Sequence, residues 1–250
     1  MRIVFLGTAA AVSTSNRDNT SLLVDDFLID CPGSAFGKMK KIGYDPLKLK
    51  GVIITHGHVD HIYGLPSLIE MLRLSARKEP LKIYVGEYFH ELVKLQLEIH
   101  GLLHQENGFE INLKPVSYDK QLLIEDQRIS IEVFPVKHSV PNIGLKIRST
   151  ESVVIYTSDT ESCENLIDVF CKADLLIHES TCSYLYSRRV EGHICAEDAA
   201  RLSQLSDVRT LCLVHVGPEI DGNEQRLLEE LKKYFLGQIF IPNDFDRIIM

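Results

Sequence analysis

The sequence predicts an α/β fold, and two observations carry that prediction. Short runs rich in Val and Ile recur along the 250-residue chain, bounded by Gly, Asp, Ser or Pro, as buried strands are. Between several of them lie segments with apolar residues three and four apart, the spacing of helices packed outside a sheet.

In chain order, "RIVFL" (2–6), "SLLV" (21–24) and "FLID" (27–30) read as strands with hairpin-like breaks, followed by "GVIIT" (51–55). A helix is expected in "GLPSLIEMLRLSAR" (64–77), a strand in "KIYV" (82–85) and a helix in "EYFHELVKLQLEIHGLL" (87–103). Strands follow in "ISIEVFPV" (129–136), "GLKIRS" (144–149) and "VVIYTSD" (153–159). The last third alternates: helix "SCENLIDVFCKA" (162–173), strand "DLLIHES" (174–180), helix "AEDAARLSQL" (196–205), strand "TLCLVH" (210–215) and helix "NEQRLLEELKKYF" (223–235). The last helix places Leu227, Leu228, Leu231 and Phe235 on one face. A strand-dense start and an alternating finish predict mixed rather than wholly parallel sheets. No low-complexity linker divides the chain, so residues 1–250 read as one domain. Two halves of related topology fit that reading, although no sequence repeat marks them.

Composition narrows the class. With 45% hydrophobic and 25% charged residues, and no apolar run near the ~20 residues of a membrane span, the chain reads as a soluble protein without a membrane partner. The N-terminal apolar stretch is broken by Gly7 and reads as a strand and turn, which makes a cytoplasmic location the expectation. Cys31, Cys163, Cys171, Cys182, Cys195 and Cys212 show no C-x-x-C pair, so buried free thiols are expected rather than a zinc ribbon or disulfide framework. The 27 basic and 35 acidic residues leave a net charge of −8, which works against holding a long nucleic acid by its phosphates.

The stretch "HGHVDH" (56–61) puts three of the ten histidines and an aspartate into six positions after an apolar strand. Imidazole and carboxylate suit zinc, and a hydrolytic site needs them on short loops. In a turning loop His56 and His58 face one point while Asp60 and His61 face another, which suits two metals better than one. Further donors stand where other strands run out: His138, Asp159 and His215. His90, His100 and His104 lie in or beside a helical stretch and are read as structural.

Taken together, "FLGTAAAV", "THGHVDH" with "IYGLP", "VKHSVPNIGLKI", "YTSDT", "ADLLIHEST", "GHICAEDAA" and "LCLVHVGP" resemble the metallo-β-lactamase superfamily, and within it the ribonuclease Z branch. The resemblance implies an αββα sandwich with two divalent ions, most simply zinc with manganese or iron as alternatives, at one edge of the sheets. One ion would take His56, His58 and His138, the other Asp60, His61 and His215, with Asp159 between them. It also implies that His193 is a general acid and Glu179 its partner, with Asp60 in the catalytic set and His178 packing or orienting. A homodimer is expected by the same analogy.

The chain departs from that branch in three places. The strands "GLKIRS" and "VVIYTSD" are separated only by "TES", where a ribonuclease Z carries a tRNA-gripping arm. "HVGPEIDG" places Glu219 and Asp221 near the expected phosphate mouth, and "DCPGS" brings Pro32 and Gly33 into the site wall. The reading is therefore a dinuclear zinc phosphodiesterase acting on a small or short phosphodiester. The alternatives are a tRNA 3′-end endoribonuclease, docking RNA through Arg73, Arg77 and Lys78 or a partner subunit, and a thioester or lactone hydrolase.

Overall fold

A computed structural model describes residues 1–103, 108–163 and 166–250. His104 and part of the 162–173 helix expectation fall outside the described residues. Among those residues the strands form two seven-stranded sheets. The first runs in the order β14 (Arg247–Ile249), β1 (Arg2–Gly7), β2 (Ser21–Val24), β3 (Phe27–Ile29), β4 (Gly51–Ile54), β5 (Leu81–Gly86), β6 (Ile111–Val116). The second runs β13 (Gln238–Phe240), β12 (Thr210–Val216), β11 (Leu175–Ser180), β10 (Val153–Tyr156), β9 (Asn142–Arg148), β8 (Ser130–Val136), β7 (Gln121–Glu125).

The sheets share one pairing plan. From β14 to β3 neighbours are antiparallel, and from β3 to β6 parallel. From β7 to β10 they are antiparallel, and from β10 to β13 parallel. Both sheets are mixed, and the related topology of the halves is visible in this order.

Side-chain alternation along the strands builds four layers. Ile3 and Phe5 of β1 meet Ile143, Leu145 and Ile147 of β9 between the sheets. Val4 and Leu6 face the other way, toward Met39 of α1 (Ala35–Lys41) and Leu68 and Leu72 of α3 (Leu65–Leu74), with Val93 and Leu97 of α4 (His90–Ile99) in the same layer. On the far side, Ile155, Leu176 and Leu213 pack against Phe170 of α5 (Ile167–Phe170), Ala199 of α6 (Ala196–Leu205) and Leu227 and Leu231 of α7 (Glu224–Leu231). This is the αββα sandwich. No helix among the described residues is long and apolar enough to cross a membrane.

The chain turns helical before the expected 64–77 segment: α2 (Val59–Ile62) takes up the second half of "HGHVDH", and α3 begins after Gly64. The expectation of free thiols is corrected at two positions, because Cys182 and Cys195 form a disulfide. All four others are free, but only Cys31 and Cys212 are buried, Cys163 being half-buried and Cys171 exposed.

Candidate metal centre

Parallel strands whose C-terminal ends share one edge bring their following loops together. Here β3 delivers Asp30, β4 delivers Thr55 and His56, β10 delivers Asp159, and β11 and β12 carry Glu179 and His215 at their last turns of chain. Asp30, Ser158 and His215 all adopt positive φ, at 57°, 55° and 53°. Non-glycine residues held so cost about 1–3 kcal/mol each and persist where the surroundings overdetermine them. Gly57 permits the tight H-G-H turn, since a Cβ there would lie 2.2 Å from Cδ1 of Phe89.

The seven expected ligands converge. His56 Nε2 and His138 Nε2 each lie 3.0 Å from His58 Nδ1. On the other side, His61 Nε2 lies 3.4 Å and His215 Nε2 3.5 Å from Asp60 Oδ2. Asp159 Oδ2 faces both sets: it is 3.7 Å from His56 Nε2, 3.9 Å from His138 Nε2, and 3.4 Å from both His61 Nε2 and His215 Nε2. His56, His58, His138 and Asp159 thus form one candidate ion-binding group, and Asp60, His61 and His215 another.

These residues fit metal. Nitrogens about 2.0–2.1 Å from a tetrahedral zinc stand about 3.3 Å apart, close to the spacing in the first group. In the second, the buried Nε2 atoms of His61 and His215 have no hydrogen-bond partner among the described residues, nor does Asp159 Oδ1. Such orphaned atoms call for an ion or water.

The far side of each ring explains this orientation. Thr55 Oγ1 gives its proton to Asp30 at 3.0 Å, so at 3.1 Å it must accept from His56 Nδ1. His61 Nδ1 donates to Asp30 Oδ2 at 2.9 Å and His138 Nδ1 to the Gly192 carbonyl at 2.6 Å. Thr181 Oγ1 donates to Glu179 Oε2 at 2.7 Å and accepts from His215 Nδ1 at 2.8 Å. Each of these four Nδ1–H groups is engaged on the outer side, which turns Nε2 toward the centre. His58 is reversed: its Nδ1 faces the centre.

The electrostatics follow the packing. Burial and the neighbouring His61 hold His56 well below the usual imidazole range. Burial alone would lower His61 too, but Asp159 and Asp30 outweigh it and hold its ring well above that range. Asp159 is driven far down by His215 and His61 despite complete burial.

Beside the centre, His193 Nδ1 donates to Glu179 Oε1 at 2.9 Å. Its ring stacks on His215 at 5.4 Å and meets His138 edge-on at 5.0 Å. Burial lowers the His193 pKa, but the Glu179 hydrogen bond and charge prevail and raise it. Glu179 therefore pairs with His193, leaving Arg188 and Arg189 out of that contact. His178 points the other way, against Phe170, and burial lowers it to about 4.

Two expectations about the rim are corrected. Asp221 is no free acid at the mouth: it is paired at 3.2 Å with Arg17, itself buried. The basic patch is reduced to exposed Lys78, since Arg77 is buried and spends its guanidinium on the carbonyls of Leu47, Leu49, Glu79 and Pro80, while Arg73 pairs with Glu70. Gly33 has a structural reason, as a Cβ there would meet Tyr63 Oη at 2.6 Å.

Asp30, Thr55 and Thr181 are the positions that motif reading passed over. The one signal for Asp30 was an aspartate ending the apolar strand "FLID".

A family model described as Anti-Pycsar protein Apyc1 matches residues 1–231. The chain belongs to this Apyc1 family. This Apyc1-family chain is also 30% identical to a ribonuclease Z of Pyrococcus abyssi, over 100% of the chain and 96% of the relative. A ribonuclease Z of Methanothermobacter thermautotrophicus is 28% identical, over 94% and 92%. Among solved structures, human tRNase Z, short form, superposes with a TM-score of 0.80 at 22% identity, covering 100% of this chain and 99% of that one. The metallo-β-lactamase fold protein YhfI of Bacillus subtilis gives 0.79 at 22%, covering 99% and 98%. The protein is a ribonuclease Z-like metallo-hydrolase of the metallo-β-lactamase superfamily.

Proposed function

We propose that this protein is a dinuclear zinc phosphodiesterase that cleaves a small or short phosphodiester. The observation that carries the reading is the position of Asp159 Oδ2, within 3.9 Å of four imidazole nitrogens belonging to both ligand groups. A single carboxylate placed so can serve two ions.

When bound, the two ions would supply Lewis acidity toward the phosphoryl oxygens and an activated water. The remaining work falls to the chain. Asp60, His61 and His215 hold one side of the centre and His56, His58 and His138 the other. His193, kept protonated by Glu179, stands beside both groups and gives its proton to the departing oxygen. Glu179 keeps that ring oriented while its second oxygen takes the Thr181 hydroxyl.

The small-substrate reading is supported by the short connection between β9 and β10, residues 149–152. The alignment to the Pyrococcus abyssi relative spans 298 positions against 250 residues here, so 48 positions face gaps in this chain. The matching family is also named for opposing Pycsar and not for cutting RNA. The second reading, tRNA 3′-end cleavage, is favoured by the name ribonuclease Z on relatives aligned over the whole chain.

Elemental analysis combined with Asp159→Ala tests the centre. Wild-type protein should carry about two zinc ions per chain, and the variant should lose metal and all hydrolysis of bis(p-nitrophenyl) phosphate. Full activity with one ion or none would sink the dinuclear reading.

A further inference from the structure

Cys182 directly follows Thr181, and Cys195 stands two residues after His193. The two are joined by a disulfide with their Cα atoms 4.3 Å apart. Their backbones form a parallel bridge, and the Ala196 N–H donates to the Cys182 carbonyl at 2.8 Å. Between them Ser183 and Ile194 are buried and Leu185 and Tyr186 pack on the core, while the middle of the segment, Arg188, Arg189, Val190 and Glu191, is exposed.

His193 is at the returning end of this excursion. Its N–H donates to the Val190 carbonyl at 3.2 Å, within the excursion itself. Gly192, at φ 81°, holds the turn beside it and touches Glu161 and His138. A segment with few buried contacts opens readily, whereas a proton donor must stay within hydrogen-bond reach of the group it serves.

We infer that the Cys182–Cys195 disulfide is a staple that positions His193 over the metal centre, an inference resting on His193 as proton donor. The cross-link joins two fixed points. One is the end of β11, where the Thr181 hydroxyl contacts both His215 Nδ1 and, at 3.1 Å, His193 Nδ1. The other is the start of α6. With both ends tied, the excursion cannot draw His193 away from Glu179 without breaking the covalent link. Cys182 and Cys195 are 0% and 1% exposed, which shields the sulfurs from thiols in solution.

Alkylation with iodoacetamide in denaturant tests the link itself. Four cysteines should react before reduction, namely Cys31, Cys163, Cys171 and Cys212, and all six after dithiothreitol. The double variant Cys182→Ala/Cys195→Ala then tests its role. Amide hydrogen exchange across residues 183–193 should quicken at least about tenfold, with metal content unchanged. Turnover of bis(p-nitrophenyl) phosphate should stay within about twofold, while kcat on a diester with an alkyl leaving group should fall at least about tenfold. The corresponding serine pair repeats the measurement if the alanine pair folds poorly.

Six reactive cysteines before reduction or unchanged exchange would overturn the staple, as would equal losses on both substrates where His193→Ala itself discriminates between them. If exchange quickens as expected while His193→Ala shows no dependence on leaving group, the staple stands and the proton-donor reading falls.

Discussion

Asp30 shows how a residue outside the ligand set decides the set's geometry. Its carboxylate receives the Thr55 N–H at 2.8 Å, the Thr55 hydroxyl at 3.0 Å and His61 Nδ1 at 2.9 Å, and so fixes one ring directly and His56 through Thr55. Of the expected ligands, His56, His58, Asp60 and His61 were legible because they crowd into six positions, and His138, Asp159 and His215 because each stands where a strand runs out. Asp30 was not, because one aspartate at a strand end is ordinary. Glu179 and His193 lie between these cases, since their motifs are separated in sequence and only the fold brings Nδ1 within 2.9 Å of Oε1. His193→Ala should therefore cost little with p-nitrophenolate leaving and about 10²–10⁴-fold with an alkoxide leaving. Metal content should hold, since His193 Nδ1 is taken by Glu179 and the ring belongs to neither expected ligand group, while Asp159, His193 and His215 form a third cluster close enough to hold an ion. Comparing kcat on the two esters beside elemental analysis checks this, and metal loss would reassign His193 as a ligand.

At the scale of elements, sequence reading found the ten interior strands, β1 to β5 and β8 to β12, and missed β6, β7, β13 and β14. Those four are the sheet edges. An edge strand has one neighbour and buries less of its surface, so the apolar run that marks an interior strand is diluted. β6 reads "INLKPV", with Lys114 and Pro115 exposed. α1 escaped notice because "AFGKMKK" is only seven residues long, follows Pro-Gly-Ser and contains a glycine. The β4–α2 junction shows the converse, a short element whose sequence is fully constrained. Gly57 packs against Phe89, and a methyl group at that position must displace the ring or the H-G-H backbone. Gly57→Ala should destabilise the fold by about 1–3 kcal/mol and weaken metal binding together. Urea unfolding and a chelator competition would measure the two, and a variant matching wild type in both would show that the turn has slack.

For the molecule as a whole, the question is which phosphodiesters can be held long enough to be cut. A long RNA must be gripped at several phosphates, and each grip requires a cation free to make it. The net charge here is −8, Arg77 is committed to backbone carbonyls, Arg73 to Glu70, and Arg17 to Asp221 and Glu224. The loss of Asp221 as a free rim acid removes one source of repulsion, so the case rests on missing attraction. Arg188 and Arg189 are exposed five and four residues before His193. Small diesters and a pre-tRNA with a 3′ trailer should therefore separate when assayed side by side over a salt series. The KM for bis(p-nitrophenyl) phosphate or a cyclic nucleotide should change little with salt. Any cleavage of pre-tRNA should be poor at physiological ionic strength and should decline steeply as salt is added, because its binding depends on counterion release. Efficient, site-specific trailer removal at that ionic strength would instead establish the second reading.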